Sequence, residues 1–428
     1  MGIYIHDVSG SKVLASLNQN VPLSPASTMK LVTSDAALEL LGPAFTWKTQ
    51  AYATGSQVGD VLQGDLIIKG SGDPKLVIEN FWLFMRQIRA KGIREINGNL
   101  VLDRSVFEDK IYDPATFDGD PLKPYNAGPD ALLLNFKAFR FQFTPDTSNG
   151  LVNVIVDPSV SGYEVAPPKM TQEDCGDWQQ KLHVTIDERA ANFSGTYSTL
   201  CGEKTWYLHP YQLTQSQYFG IIFRQIWHEL GGTFKGQVKD GIVPQEARLI
   251  TQWESVTLPE VIRDINKFSN NVMARQLLLT LAAKATQQPA SRERGAETIK
   301  TWLAHKGIDA SELVIENGSG LSRNERISAD TMARVLIAAF RSPTMPEFIS
   351  SMPLVGYDGT MRQRLQERSV AGNAHIKTGS LNEVRAIAGY VLAVSGKRYA
   401  VVFFINHGNA ARGQEAQDAL LQWVYEHG

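Results

Sequence analysis

The sequence contains few cysteines and no histidine pair with metal-binding spacing, which argues against several classes of protein. Two cysteines, Cys175 and Cys201, are too few for a structural zinc site or a disulfide-rich scaffold. One disulfide between them and two separate buried thiols are both compatible with the sequence. The 8 histidines include no H-x-x-x-H pattern. We therefore expect no bound metal and no other cofactor.

A strong charge of either sign and long apolar runs are also missing. The 42 lysines and arginines balance 44 aspartates and glutamates, for a net charge of −2, so the chain lacks the positive field of a nucleic-acid-binding protein. No run approaches the roughly 18 consecutive apolar residues of a transmembrane helix. Residues 1–6 alternate like a strand and lack the basic and apolar regions of a signal peptide. We therefore expect a protein that is cytosolic or that begins inside a longer precursor.

What is present is the length and composition of a globular protein with more than one domain. The 428 residues are 43% hydrophobic and 9% aromatic, and the length suggests two or three domains. Helical periodicity is found at 29–41, 78–91, 214–230, 258–285, 292–306, 329–342 and 412–427. Strand patterns are found at 3–6 and 12–17, within 49–75, as short segments between 131 and 210, and as a hairpin of 384–394 with 399–406.

The order of these segments predicts one domain that is interrupted by an insertion. The outer thirds of the chain mix helices and strands, whereas the middle is mainly β. The strands at 3–6 and 12–17 cannot form a sizeable sheet alone. We therefore expect the first and last thirds of the chain to form one domain around the inserted middle.

The first candidate for chemistry is Ser27-Thr28-Met29-Lys30, at the start of the first predicted helix. One helical turn brings the serine and lysine side chains to the same face, so the lysine amine can accept the serine proton. The helix N-terminus favours a developing anion, and the backbone N–H of Ser27 can donate to an oxyanion. Alone the motif is weak, because residues 9–12 repeat it in a turn. The alternative is a capping serine beside a solvated lysine.

Two further motifs lie late in the chain. Ser269-Asn270-Asn271 falls in a helical region and is expected to be a polar tip facing a cleft, with a helix cap as the alternative. Lys377-Thr378-Gly379 begins the strand that enters the hairpin. A Lys-Thr pair on a strand edge can bind a carboxylate, and glycine lets a ligand backbone approach closely. The alternative for Lys377 is an exposed strand lysine.

In this order, S-x-x-K, S-x-N and K-T-G form the signature of penicillin-binding proteins and class A β-lactamases, and the sequence resembles that serine acyltransferase superfamily. The long interval between Ser27 and Ser269 resembles the interval between the same motifs in the D-alanyl-D-alanine carboxypeptidase/endopeptidases. These are the class C low-molecular-mass penicillin-binding proteins of peptidase family S13. Members of that family carry a signal peptide and an N-terminal helix before the first strand, and we expect neither in residues 1–428, whose first strand is predicted at 3–6. Further segments similar to the family are 25–30, 125–129, 318–323, 353–359 and 377–381.

The resemblance implies an α+β fold. It consists of a serine β-lactamase/transpeptidase-like domain, an antiparallel sheet flanked by helices, interrupted by a large, mainly β, two-part nested insertion. We expect the penicillin-binding domain at 1–48 and 255–428, inserted domain II at 49–75 and about 203–254, and nested domain III at about 76–202. The family also implies a periplasmic location, where an oxidising environment favours a Cys175–Cys201 disulfide.

The activity implied by the resemblance is removal of terminal D-alanine from peptidoglycan, together with cleavage of D-Ala–diaminopimelate cross-links, through an acyl-serine intermediate. The expected partners are peptidoglycan stem peptides and β-lactams, and no nucleic acid. Peripheral membrane association and homo-oligomerisation are left open.

The catalytic roles implied are Ser27 as nucleophile and Lys30 as its base, completed by Ser269, Asn271 and Lys377. Lowering an amine pKa from about 10.4 to about 7 costs roughly 4.6 kcal/mol, which burial and the second cation, Lys377, can supply.

Substrate binding is expected at Thr378, Gly379 and Ser380. Thr378 and Lys377 would hold the C-terminal carboxylate, and the N–H groups of Ser27 and Ser380 would form the oxyanion hole. A pocket for the amine and carboxylate of diaminopimelate is implied at four further residues, for which surface ion pairs or loop caps are the alternative: Asp120, Tyr125, Arg323 and Asn382.

Three other functions are alternatives to this one. A β-lactamase of class A type would carry a glutamate-bearing loop between the motifs, and none is evident. A catalytically inactive muropeptide-binding module would release no D-alanine. A Ser-His-Asp hydrolase is poorly supported, because G-x-S-x-G does not occur and His375 is expected to point away from the cleft.

Overall fold

A computed structural model describes the whole chain, residues 1–428. The helices are α1 (Met29–Leu41), α2 (Ile78–Ala90), α3 (Gln215–Glu229), α4 (Leu258–Lys267), α5 (Asn271–Thr286), α6 (Arg292–His305), α7 (Ala329–Phe340), α8 (Met345–Ser351) and α9 (Gln414–His427). The strands are β1 (Gly2–Asp7), β2 (Val13–Leu17), β3 (Lys48–Ala53), β4 (Ser56–Val58), β5 (Val61–Gln63), β6 (Leu66–Lys69), β7 (Glu95–Ile96), β8 (Leu100–Asp103), β9 (Phe139–Asp146), β10 (Leu151–Asp157), β11 (Glu164–Ala166), β12 (Lys169–Thr171), β13 (Leu182–Ile186), β14 (Ala190–Ser198), β15 (Lys204–Leu208), β16 (Thr233–Phe234), β17 (Val238–Asp240), β18 (Arg248–Glu254), β19 (Ala374–Leu381), β20 (Val384–Leu392) and β21 (Arg398–Asn406). None of the helices is both long and apolar enough to cross a membrane.

The chain divides into two compact units. The first unit comprises Met1–Trp47, Val106–Glu108 and Val256–Gly428, and the second comprises Lys48–Ser105 and Asp109–Ser255.

The first unit is built on a five-stranded antiparallel sheet with the strand order β19-β20-β21-β1-β2. β1 pairs with β21 in the register Gly2↔Phe404, so the two ends of the chain share one sheet. β20 and β21 form the hairpin predicted from their apolar runs. The α+β fold class predicted from the sequence is confirmed.

The helices of the first unit bury the residues that recur at helical spacing. In α4 the buried apolar positions are Leu258, Val261, Ile262 and Ile265, which lie on one face. Thr257 and Glu260 form a capping box at the start of this helix, satisfying backbone N–H groups that have no partner within the helix.

The helical pattern predicted over 258–285 corresponds to two helices, α4 and α5. Ser269 adopts a left-handed φ of 57°, which a helix cannot contain. The Asn270 side chain then accepts a 3.0 Å hydrogen bond from the Met273 N–H and caps α5. The break leaves Ser269 and Asn271 at a helix start rather than within a helix.

The second unit holds four sheets and two helices. Its sheets have the orders β17-β8-β6-β3-β18, β16-β7-β5-β4, β10-β9-β15, and β11-β14-β12 with β13 paired to β14. Cys175 and Cys201 form a disulfide, as the family resemblance led us to expect.

The division of the insertion into two nested domains stays a prediction. β8 pairs with β6 and β17, and β7 pairs with β5 and β16. This pairing favours a nested part that begins after β8 rather than at about residue 76.

Candidate active site

Ser27 lies in a single 3-10 turn, Ala26–Thr28, that leads directly into α1. Ala26 is held at a φ of 45°, and two glycines pack against this turn. A Cβ on Gly320 would lie 1.8 Å from the Ala26 carbonyl oxygen, and a Cβ on Gly379 would lie 2.9 Å from the Ser27 nitrogen. Only glycine fits at these contacts, so β19 passes directly beside the backbone of Ser27.

Lys30 is fully buried and its amine has three hydrogen-bonding partners. Lys30 Nζ lies 2.9 Å from Ser27 Oγ, 2.6 Å from Asn271 Oδ1 and 2.5 Å from the Ser319 carbonyl oxygen. The amide and carbonyl oxygens can only accept, so they take two N–H groups. In a neutral amine the third position is the lone pair, and it faces the serine hydroxyl.

The surroundings of Lys30 keep the pKa of its amine well below the ordinary value. Burial is the main cause, because it disfavours the charged form, and the positive charges of Lys377 and Arg275 act in the same direction. The carboxylate of Glu325 opposes them. The amine therefore loses its proton more readily than an exposed lysine does, and its neutral form can accept a proton.

Lys377, on β19, belongs to the same cluster. Its amine is fully buried and donates to Ser269 Oγ at 2.9 Å and to the Thr378 carbonyl oxygen at 2.6 Å. Burial lowers the pKa of Lys377 to about 7. The Thr378 hydroxyl donates to the exposed hydroxyl of Thr360 at 2.7 Å. The three motifs are therefore brought together, with Thr360 beside them.

The backbone N–H groups along one side of β19 point away from the sheet. β19 is an edge strand, and the Ile376 N–H bonds to the Pro353 oxygen at 2.8 Å rather than to β20. Since alternate residues of a strand point the same way, the Ser380 N–H lies on this side too. It can donate to a ligand beside Ser27.

Sequence reasoning missed the loop that supplies the third partner of Lys30. One buried oxygen, Glu325 Oε1, accepts the backbone N–H groups of Glu316, Asn317 and Gly318 at 2.9–3.0 Å. These bonds shape the segment that ends in the Ser319 carbonyl. The sequence marks segment 318–323 only by its resemblance to the family. No sequence signal points to the Ser319 carbonyl, because every residue carries a backbone carbonyl.

The four residues expected to bind diaminopimelate are divided between the units. In the second unit, Asp120 pairs with Lys123 at 3.7 Å, and the Tyr125 hydroxyl donates to Asp118 Oδ2 at 2.7 Å. In the first unit, Arg323 follows the loop shaped by Glu325, and Asn382 lies in the turn between β19 and β20. Asp118 was not predicted, although it orders the loop of Asp120 and Tyr125 by accepting three hydrogen bonds, two from side chains and one from a backbone N–H.

The sequence is similar to known proteins over nearly its whole length. The sequence model of the D-Ala-D-Ala carboxypeptidase 3 (S13) family matches residues 1–427. A Haemophilus influenzae protein named D-alanyl-D-alanine carboxypeptidase DacB is 27% identical, over 95% of this chain and 85% of its own. A D-alanyl-D-alanine carboxypeptidase of Actinomadura sp. (strain R39) is 28% identical, over 100% of this chain and 81% of its own.

Solved structures share the fold. Penicillin binding protein 4 (dacB) from Haemophilus influenzae has a TM-score of 0.85 at 24% identity, covering 100% of this chain and 96% of that chain. The predatory peptidoglycan endopeptidase Bd3459 of Bdellovibrio bacteriovorus has a TM-score of 0.56 at 16% identity, covering 99% and 92%.

Proposed function

The chain belongs to the D-Ala-D-Ala carboxypeptidase 3 (S13) family and is a serine D-Ala-D-Ala carboxypeptidase, and on this premise we propose that Ser27 is its nucleophile and Lys30 the base. The observation that carries the proposal is the 2.9 Å hydrogen bond between Lys30 Nζ and Ser27 Oγ. The amine is fully buried and its other two partners accept only.

Acylation begins when Ser27 Oγ attacks the carbonyl carbon of the terminal D-Ala-D-Ala bond. The new bond joins Oγ to that carbon, and Lys30 takes the hydroxyl proton. The peptide C–N bond then breaks, and the departing amine receives the proton from Lys30. The N–H groups of Ser27 and Ser380 donate to the oxyanion while it carries charge. In the second half of the reaction water attacks the acyl carbon and the bond between that carbon and Ser27 Oγ breaks. One hydrogen of the water returns to Ser27 Oγ, and the shortened peptide leaves with a new terminal carboxyl group.

The remaining motif residues orient the substrate and Lys30. Lys377 and Thr378 hold the carboxylate of the departing residue, where a buried ammonium and a hydroxyl make charge-assisted hydrogen bonds. Gly379 lets the substrate backbone approach β19 closely. Asn271 fixes one N–H of Lys30, and Ser269 fixes Lys377.

We propose a second substrate from the resemblance to the family. In addition to terminal D-alanine, the enzyme cleaves D-Ala–diaminopimelate cross-links of peptidoglycan. Asp120, in the second unit, is proposed to bind the ammonium of the diaminopimelate in the acyl-donor peptide. Asp120→Ala should lower kcat/KM for a diaminopimelate-bearing peptide about tenfold relative to a simple acyl-D-Ala-D-Ala. A variant that hydrolyses both substrates with the kcat/KM values of the wild type would contradict this role of Asp120.

β-Lactams are proposed to acylate Ser27 and to leave slowly, because the leaving group stays tethered to the acyl-enzyme. In support, a Dictyostelium discoideum relative is named penicillin-sensitive carboxypeptidase A, and a structure of the Haemophilus influenzae protein is described as complexed with a β-lactam. A periplasmic location is proposed from the substrate class and from the Cys175–Cys201 disulfide.

The test is the intact mass of the protein after incubation with benzylpenicillin. The wild type should gain the mass of one penicillin, and Ser27→Ala should gain none. Ser9→Ala, in the second S-x-x-K sequence, is the matched control and should be labelled like the wild type.

Two results would contradict the proposal. Labelling of Ser27→Ala would assign the nucleophile elsewhere. A wild-type adduct that disappears within seconds while penicillin is consumed catalytically would indicate a β-lactamase instead.

A further inference from the structure

Two large aromatic side chains are exposed beside the catalytic motifs. Phe268 is 66% exposed and immediately precedes Ser269, and Tyr357 is 64% exposed and lies three residues before Thr360. Single exposed apolar residues are ordinary on a protein surface. Two aromatic residues that adjoin the same site are different, because aromatic side chains are enriched where proteins bind partners. Neither has a part in the release of D-alanine described above.

An ion pair connects the two segments that contain Phe268 and Tyr357. Lys267 is 5% exposed, and its amine lies 2.6 Å from Asp358 Oδ2. Lys267 precedes Phe268 and Asp358 follows Tyr357, so the pair joins the immediate neighbours of both aromatics. The backbones are also close, since a Cβ on Gly359 would lie 2.6 Å from the Lys267 oxygen. We call Phe268 and Tyr357 the aromatic rim.

Hydrogen bonds connect two residues near the aromatic rim in the sequence, Ser269 and Thr360, to the carboxylate-binding end of the site. Ser269 accepts from Lys377, and Thr360 accepts from Thr378. In the reaction above, Lys377 and Thr378 hold the carboxylate of the residue that departs. The rim therefore adjoins the leaving group rather than the acyl group.

We propose that the aromatic rim binds the peptide attached to the departing residue of a cross-linked substrate. A departing D-alanine carries only a methyl group beyond its carboxylate. In a cross-link the departing residue is diaminopimelate, whose long side chain continues into a second stem peptide. The apolar parts of the side chains of such a peptide can pack on aromatic faces. The inference rests on the proposed cross-link cleavage, and it names the surface that favours this substrate.

The chemical step is the same for both substrates. The amide bond between the D-alanine carbonyl and the diaminopimelate amine breaks, and Lys30 returns the Ser27 proton to that amine. Contacts made far from the reacting bond still raise kcat/KM, because they persist in the transition state. A rim that touches only the longer leaving group changes the ratio of the two activities.

The experiment compares two substrates on the full-length protein: a purified cross-linked muropeptide dimer and a soluble N-acylated D-Ala-D-Ala peptide. The measured quantity is kcat/KM for the dimer divided by kcat/KM for the peptide. Phe268→Ala with Tyr357→Ala should lower this ratio at least tenfold, chiefly through KM for the dimer. Phe268→Tyr and Tyr357→Phe keep the rings and should retain the ratio. Trp423→Ala, which removes an exposed aromatic from α9, is the matched control and should not change it.

The outcomes separate this inference from the proposed function. A wild type that cleaves the dimer, with an unchanged ratio in the double alanine variant, would overturn the role of the rim and leave cross-link cleavage standing. A wild type that releases D-alanine but leaves the dimer intact would overturn cross-link cleavage and the rim with it. Labelling of the variants by benzylpenicillin establishes that they are folded.

Discussion

A lysine acts as a base only where its uncharged form is stabilised. In this site several individual residues each contribute to that stabilisation. Asn271 Oδ1 and the Ser319 carbonyl occupy two N–H groups of Lys30. Burial and the charge of Lys377 lower its pKa. A side chain that keeps the positive charge but cannot lose its proton should therefore be inactive.

Lys30→Arg tests this requirement. Arginine stays protonated at any pH used for enzymes, so we expect acylation by a fluorescent penicillin to slow by about 10³-fold. The rate is measured by stopped flow on the purified variant. Lys12→Arg, in the second S-x-x-K sequence, is the control and should acylate normally. An acylation rate near that of the wild type would remove Lys30 from the role of base.

Lys377 should give the activity an alkaline limb. Burial lowers the pKa of Lys377 to about 7, so the amine is charged below that pH and neutral above it. A neutral amine binds a carboxylate weakly, and kcat/KM for acyl-D-Ala-D-Ala should fall up to tenfold per pH unit above about pH 7. A peptide that ends in an amide has no C-terminal carboxylate for Lys377 to bind. It should be cleaved slowly, and its kcat/KM should not fall above about pH 7. A profile that stays flat to pH 9 for both peptides would contradict the role of Lys377.

Sequence alone could predict the side chains of this site but not their backbone partners. Ser27, Lys30 and Lys377 were identified because their motifs occur in a set order. The Ser319 carbonyl could not be identified, since every residue has one. Glu325 is an acidic residue within a loop, and only its burial and its three N–H donors reveal its part.

Among the elements, the loop held by Glu325 and the break between α4 and α5 decide the geometry. The apolar pattern of 258–285 predicted helical structure on both sides of Ser269, because both halves bury residues at helical spacing. The break depends on the left-handed Ser269 and the Asn270 cap, and such local features outweigh a periodic pattern. A similar dependence on a few polar contacts should hold for the Glu325 loop.

Glu325→Ala should loosen the loop that presents the Ser319 carbonyl to Lys30. Removing the carboxylate leaves three buried N–H groups without their acceptor, at a cost of about 2–4 kcal/mol in the free energy of unfolding. Acylation by penicillin should slow about tenfold or more, because one N–H of Lys30 loses its fixed partner. Glu325→Gln keeps an amide oxygen to accept these bonds and should retain most of the stability. An unfolding temperature and an acylation rate of Glu325→Ala that match those of the wild type would show that the loop holds its shape without Glu325.

At the level of the whole molecule, the sequence predicted that the first and last parts of the chain belong together. The short strands β1 and β2 need further partners, and the apolar β20 and β21 near the other end of the chain supply them in one sheet. The pairing in the second unit was not predictable in this way. Parallel partners such as β8 and β17 are far apart in the sequence, and strands of three or four residues carry little pattern.

Because the residues bonded to Lys30 all belong to the first unit, the two units should respond differently to loss of the disulfide. Cys175 and Cys201 close a loop with a sequence separation of 26 in the second unit, which by loop entropy stabilises it by about 3 kcal/mol. In the double variant Cys175→Ser with Cys201→Ser, calorimetry should show that the second unit unfolds at a temperature several degrees lower than in the wild type. Acylation of Ser27 by benzylpenicillin at 25 °C should keep its wild-type rate. The wild type in reductant, whose intact mass should rise by two hydrogens, is the matched control. Unchanged unfolding would mean that the bond adds nothing to the second unit, and slowed acylation would mean that the Ser27 site depends on it.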